Sequence, residues 1–595
     1  MKKNNKKVVY QVFTRLFGNQ NTSNAPWGTK MQNGVGKFSD FTDKALSEIK
    51  ALGVTHIWYT GVPHHALICD YTEFGISKDH PAVVKGRAGS PYAVKDYYNV
   101  NPDLADNPAE RLEEFKALID RSHKAGLKVI MDIVPNHVAR SYEGLSNPEG
   151  VEDFGASDDT SLEYHRDNNF YYLPGEAFEL PDYEEGFAPL GGEEHPMLAE
   201  AYHEFPAKWT GNGARKAKPD FDDWYETVKV NYGIRPDGSK DFDELPKTYM
   251  ALSHEAHFQF WQGKSVPDSW RKFRHVAEYW LMLGVDGFRY DMAEMVPVEF
   301  WSYLNSAIKY IDPDAFLLAE VYQPDLYRTY IHQGKMDALY DKVDLYDTLK
   351  AVMQGKVSTD HIAANQRQLA DIGNHMLHFL DNHDEQRVAS PQFAGDGDKG
   401  KPAMLVSALM DKAPAMIYFG QEVGEAGDGD MGFGRQSRTS IFDYCGVPSH
   451  QRWMNGGNFD GGQLSDKEKA LRDFYKRLLN FTLSAPALDG DYAELHNASR
   501  EAGLGYDETM FAFARISHEA GQKLIAFSHF DTQAKGKVSL VIPAEVISAW
   551  QLADGCYPLC EALYGYETAT LRVTDGCGEV TVIADALAAK VFELT

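Results

Sequence analysis

GVDGFRYDMAEM, residues 284–295, is a short apolar run that ends abruptly in charge. Val285–Asp291 reads as a strand, and in a strand Arg289 and Asp291 share one face. Helical stretches flank it, Ser269–Leu283 before and Pro297–Ile311 after. The same unit recurs in both directions along the chain. Strands are predicted at Val8–Phe13, His56–Thr60, Lys128–Val134, Phe316–Val321, Met376–Leu380 and Ala415–Phe419, with a weaker one near Met336–Tyr340. Further helices are predicted at Phe41–Leu52, Ala109–Ala125 and Lys401–Lys412; Gly53 and Gly126 follow the first two where a helix C-cap is expected. Eight strands alternating with helices predict an α/β fold, a (β/α)8 TIM barrel.

One interval breaks the rhythm. Between Pro135 and Ser269 the chain is too long for a βα loop, and it is rich in Asp, Glu, Gly, Pro and aromatics. It reads as a subdomain inserted after the third strand, on the C-terminal face of the barrel. After Pro486 the pattern turns to period-2 runs separated by Gly and Asp turns: MFAFARI, KLIAFSHF, KVSLVI, LRVTD, GEVTVIA and KVFELT. The expected organisation is barrel over 1–137, insert over 138–262, barrel again over 263–486, and a C-terminal antiparallel β-sandwich over 487–595.

With 59 Lys and Arg against 87 Asp and Glu, the formal charge is −28. That disfavours nucleic acid and acidic membrane surfaces as partners. The five cysteines are an odd number, which argues against a disulfide framework, although Cys556 and Cys560 are near enough in sequence to pair. The basic start MKKNNKK leads into an apolar stretch interrupted by Gln11, Thr14 and Arg15, too short for a signal peptide, and no run reaches the length of a membrane span. A cytoplasmic location is the expectation. Aromatics make up 12% of the chain, which suits stacking on flat apolar ligand faces and serves ordinary core packing equally well.

A barrel carries its site where strands end. Strand 3 ends in Asp132, Asn136 and His137. Strand 4 ends in Arg289, Asp291 and Glu294, strand 5 in Glu320, and strand 7 in Asp381, Asn382, His383, Asp384 and Arg387. Three carboxylates, Asp291, Glu320 and Asp384, would meet in one funnel beside an arginine and two histidines. Two carboxylates about 5–5.5 Å apart can serve as nucleophile and general acid in retaining glycoside hydrolysis. An arginine on the same face keeps the nucleophile ionised, and a third carboxylate steadies a cationic transition state. Taken alone, Arg289–Asp291 is equally a structural ion pair, and His137 and His383 equally core histidines.

Four motifs in order, DIVPNH (132–137), GFRYDMAEM (287–295), AEV (319–321) and FLDNHD (379–384), resemble those of glycoside hydrolase family 13, the α-amylase family. SPYAVKDYYNVNP (90–102), KPDFD (218–222) and APAMIYFGQE (413–422) resemble its lesser signatures. The resemblance implies cleavage of α-1,4-glucosidic bonds in malto-oligosaccharides or starch, with α-glucosidase or glucanotransferase action as the alternative. It implies Asp291 as nucleophile, Glu320 as general acid/base and Asp384 as transition-state stabiliser. Arg289, His137, His383 and Tyr92 would bind substrate or hold the nucleophile. Asp132 and Asp381 read as structural.

The family's calcium site would use Asn136, Asp220 and the backbone carbonyl of Met295. NQNTSN (Asn19, Asn21) and the GDGD loops at 395–398 and 427–430 are further places for calcium, or plain solvated turns. Glu294 and Met295 replace a Lys-His pair frequent in endo-acting relatives, at positions that would face the leaving-group side. Arg387 resembles a feature of oligosaccharide-trimming members.

Overall fold

The computed structural model describes residues 4–434 and 436–595. Eight parallel strands form the barrel: Val8–Phe13, His56–Thr60, Lys128–Ile133, Gly287–Tyr290, Phe316–Ala319, Ala338–Tyr340, Met376–Leu377 and Ala415–Tyr418. They hydrogen-bond in chain order, and the eighth lies against the first. A bridge between His378 and Ala415 joins the seventh to the eighth and closes the ring. The weakly signalled sixth strand is thus real. None of the helices among the described residues is long and apolar enough to cross a membrane.

The interior follows from a period of two. Val9, Trp58, Ile130, Leu318 and Ala338 belong to one apolar cluster inside the ring. Two residues further along the same strands stand Gln11, Thr60, Asp132, Glu320 and Tyr340. On the fourth strand Gly287, Arg289 and Asp291 make the same series, and Arg289 lies in register with Asp132 and Leu318. On most of these strands the inward face therefore changes from apolar packing to polar side chains in one step.

The helices close the outer layer. Thr42 caps Asp43–Ala51 by accepting from the Ala45 N–H. That helix ends at Gly53, where φ is +101° and a Cβ would lie 2.7 Å from the Asn480 backbone nitrogen. Glycine lets the turn sit flush against the helix Asp466–Ser484.

The segment after the third strand is folded with little regular structure. Its ribbon pairs His137–Ala139 with Thr227–Lys229, and a second pairs Tyr172–Leu173 with Ala207–Lys208. Tyr171 stacks on Trp209 at 4.3 Å, and the Arg140 guanidinium lies over Phe178 while binding Glu204 at 2.6 Å. The helix His254–Trp261 packs on the barrel helix Val298–Ile311, with both His257 and Trp261 bonded to Ser302. HEAHFQFW carries too weak an apolar periodicity to reveal this.

The C-terminal strands join in one continuous eight-stranded antiparallel sheet rather than two separate sheets. Two of them, Asp491–Glu494 and Gly555–Glu561, had no clear signal; the second holds Pro558, a poor strand residue. Met510–Ile516 is buried on both faces. Phe511 and Phe513 pack toward the barrel, while Ala512 and Ala514 enter the domain's own core. The five cysteines are free thiols. Cys556 and Cys560 lie four residues apart on one strand, about 13 Å along it, which is beyond disulfide reach.

Candidate active site

Arg289 is the centre of the funnel floor and is fully buried. Its Nη1 donates to Asp291 Oδ1 at 2.8 Å and reaches Asp132 Oδ1 at 3.4 Å. Its Nη2 lies 3.0 Å from Glu320 Oε2 and 4.0 Å from Asp384 Oδ2, forming ion pairs without an aligned hydrogen bond. Nε donates to the Tyr340 hydroxyl at 3.2 Å. Rings of Trp58, Tyr92 and Tyr340 surround the guanidinium at 5.3, 5.4 and 5.6 Å. One cation thus faces four carboxylates, three of them buried.

The charge imbalance shows in the titration of the acids. Burial, then the Glu320 carboxylate, push the Asp291 carboxyl well above the usual range, against the pull of Arg289. Burial lifts Asp132 to about 6 despite Arg289 and the Trp58 N–H, which donates to it at 2.9 Å. Glu320 Oε2 accepts the Met292 N–H at 2.8 Å, and the Tyr322 hydroxyl also bonds this carboxylate. Met292 has positive φ, which turns the chain after Asp291 so that its N–H points at Glu320.

Asp384 sits at the rim with its side chain 37% exposed. The Asn382 side chain accepts the N–H groups of Asp384 and Glu385, both at 2.8 Å, and so shapes the turn that presents His383 and Asp384. Gln11 donates to His383 Nδ1 at 2.8 Å, which leaves the proton on Nε2. Nε2 faces the Tyr92 hydroxyl at 2.5 Å and Asp384 Oδ2 at 3.2 Å. Burial, aided by Arg289, holds His383 well below the ordinary histidine range, so it is neutral. The Tyr92 ring stacks on it, with centroids 5.3 Å apart. His137 is likewise neutral, pushed down to about 3 by burial and by Lys229 and Lys85, and its ring meets Trp224 edge-on.

Asp291, Glu320, Asp384, Arg289, His383 and Tyr92 are therefore brought together by direct contacts. His137 stands on the ribbon strand at the mouth of the insert. Three further motif residues are placed by their contacts. Glu294 does not point freely toward a leaving group: Oε2 accepts the N–H groups of Tyr322 and Gln323 at 2.8 and 3.0 Å. Arg387 is fully buried and binds Phe419 O and Thr439 Oγ1, both at 2.9 Å. Asp132 shares the Arg289 guanidinium and belongs to the cluster. Residues not anticipated are Gln11, Trp58, Tyr322 and Tyr340. Gln11 had a signal, as the one amide in the apolar run VVYQVF.

The calcium reading meets an obstacle. Asn136 Oδ1 and the Met295 carbonyl both accept from the Lys229 ammonium, the latter at 3.2 Å. Burial lowers Lys229 to about 7. Asp220 lies apart, three-quarters exposed and bound to Lys216 at 2.5 Å. Calcium takes six to eight oxygens, carboxylates among them; the residues at this place do not fit it. Among the described residues, no cluster of three or more His, Cys, Asp or Glu side chains could hold a metal. The other candidate loops are internally bonded: Asn19 donates to Asn33 and Cys445 carbonyls, and Asp396 and Asp398 bind Lys467 and Lys401 at 2.7 Å. Asp430, in the second GDGD loop, accepts the Gly432 N–H.

Comparison with known proteins agrees with this geometry. The chain is 26% identical to an α-amylase of Streptomyces lividans over 84% of its own length and 51% of that protein. It is 23% identical to a cyclomaltodextrinase of a Bacillus species, over 71% of its length and 60% of that protein. The chain thus spans between half and two thirds of these relatives. In fold it superposes on an α-amylase from Geobacillus thermoleovorans solved with acarbose, with a TM-score of 0.58 and 17% identity over 99% of this chain and 98% of that one. The family model for the alpha amylase catalytic domain matches residues 11–183 and 243–443, more than half of the sequence. The barrel, the converging carboxylates and this match together place the chain in the α-amylase family of glycoside hydrolases, family 13.

Proposed function

We propose that the chain is a retaining hydrolase of the α-amylase type, cutting α-1,4-glucosidic bonds in malto-oligosaccharides or starch fragments. The observation that carries this reading is the sharing of one buried guanidinium by Asp291 and Glu320, with Asp384 and His383 at the rim. Two carboxylates held by one cation are close enough for the short separation that double displacement needs. The aligned 2.8 Å bond from Arg289 supports the Asp291 carboxylate as the nucleophile.

In this reading Asp291 attacks the anomeric carbon while Glu320 gives its proton to the departing glycosidic oxygen. Glu320 then takes a proton from water, which attacks the same face, so the α configuration is retained. Asp384, with neutral His383 and His137, holds sugar hydroxyls as the ring flattens, and Tyr92 stacks beneath the sugar. The acarbose bound by the Geobacillus relative supports a malto-oligosaccharide-like ligand. The similarity to a cyclomaltodextrin glucanotransferase of Paenibacillus macerans, 23% identical over 71% of this chain, supports a second reading, α-glucosidase or glucanotransferase action, since the same covalent intermediate can pass to water or to a sugar hydroxyl.

End-labelled maltoheptaose separates them. Mixed short products born as α-anomers are expected. Glucose alone would transfer the assignment to an α-glucosidase, and chains longer than the substrate to a transferase. Products born as β-anomers would refute retention.

A further inference from the structure

The Lys229 side chain sits where the insert leaves the barrel. Three chain segments meet there, each with polar backbone: Asn136 after the third strand, the ribbon strand Thr227–Lys229, and the turn Ala293–Met295 after the fourth strand. Lys229 pairs with His137 across the ribbon, so its backbone position is fixed by the same ladder that holds this candidate substrate-binding histidine. Its ammonium reaches Asn136 Oδ1 on one segment and the Met295 carbonyl on another. The Asn136 amide completes the knot by donating to the Gly211 carbonyl at 2.9 Å.

We propose that the Lys229 ammonium is this chain's built-in substitute for a metal ion, clamping the insert to the funnel so that no calcium is required. The donor set carries the inference. Both oxygens facing the ammonium are neutral, and the one carboxylate assigned to the site by resemblance, Asp220, is turned to solvent with Lys216. A monocation with directed N–H groups is satisfied by two neutral oxygens. A divalent ion would need several more, and it would have to displace a tethered ammonium from them. The geometry also makes Lys229 a positioning residue. Drawing Asn136 and the Met295 turn together fixes the backbone just before His137 and four residues after Asp291.

The test uses the whole chain with calcium alone as the probe. Isothermal titration with calcium should give no saturable heat, and the melting temperature should be the same in excess chelator and in millimolar calcium. A resident ion well above its dissociation constant would instead raise it by several degrees. Lys229→Met should lower the melting temperature in both media. It should also raise KM more than it lowers kcat, because the catalytic carboxylates keep Arg289, and Lys229→Arg should restore part of both. One-site calcium binding with a chelator-sensitive melting temperature in the unmodified chain would overturn the proposal. So would a Lys229→Met chain with unchanged stability and KM. The titration of the unmodified chain decides even if the variant does not fold.

Discussion

Replacing Asp291 with Asn removes one negative charge from a buried cluster short of cations. Arg289 faces Asp291 at 2.8 Å, Glu320 at 3.0 Å, Asp132 at 3.4 Å and Asp384 at 4.0 Å. With an effective dielectric constant of about 20, opposite charges centred about 4 Å apart attract by about 4 kcal/mol. A second carboxylate about 5.5 Å away repels by about 3 kcal/mol. Burial opposes the Asp291 charge most, Glu320 nearly cancels Arg289, and Asp384 adds to the opposition. The Asn oxygen still accepts from Nη1. Asp291→Asn should then be about 1–3 kcal/mol more stable at neutral pH, or about 1–3 °C in Tm for a chain of this size. The sign follows from the raised carboxyl. Its charged form opposes folding above the unfolded-state value of about 3.9, and the penalty disappears below it. The gain should therefore fade as the pH is lowered toward about 4. Turnover moves the other way, falling by at least about 10⁴-fold with loss of the nucleophile. Scanning calorimetry at neutral and acid pH, with reducing-sugar release from maltoheptaose, measures both. A folded variant that melts lower at neutral pH, or turns over within tenfold of the parent, would refute the reasoning.

Glu320→Gln should lose about 10²–10⁴-fold on maltoheptaose, and far less on a substrate whose leaving group needs no proton, such as α-maltosyl fluoride. Tyr92→Phe keeps the ring and loses the bond to His383, so kcat/KM should drop about tenfold or less; Tyr92→Ala should cost more. Gln11→Met removes the donor to His383 Nδ1 and should weaken KM without a large change in Tm, as read from initial rates and thermal melts. Thr359→Ala leaves the Met510 and Glu508 carbonyls without their hydroxyl partner where the barrel meets the C-terminal sheet. Urea unfolding should show a loss of about 1–3 kcal/mol with activity at low denaturant unchanged.

The barrel was legible because its strands are short, apolar and punctuated, and because four of them break into polar residues at the same end. The core of the site was legible for a related reason: Arg289 and Asp291 are two apart on one strand, and period two is a rule of backbone geometry. What was hidden depends on contacts distant in sequence. Lys229 reads as an ordinary strand lysine in VKVNYG, and nothing near it announces Asn136 or Met295. Glu294 stands in a motif that points it outward, yet it bonds two N–H groups 28 and 29 residues away. The helix His254–Trp261 carries its message in two side chains aimed at Ser302, which no periodicity records.

The closure of the ring has a consequence for how the chain is made. The first strand, Val8–Phe13, has one flank against His56–Thr60 and the other against Ala415–Tyr418. The second flank cannot be covered until the ribosome has added some four hundred residues, about 20–80 s at ordinary elongation rates. Throughout that time the newborn protein carries an open edge of Val8, Val9 and Tyr10, all fully buried at the end. Such an edge is a template for pairing with other chains. Yield in a cell should therefore depend on chaperone supply and on synthesis speed more than on the stability of the finished molecule.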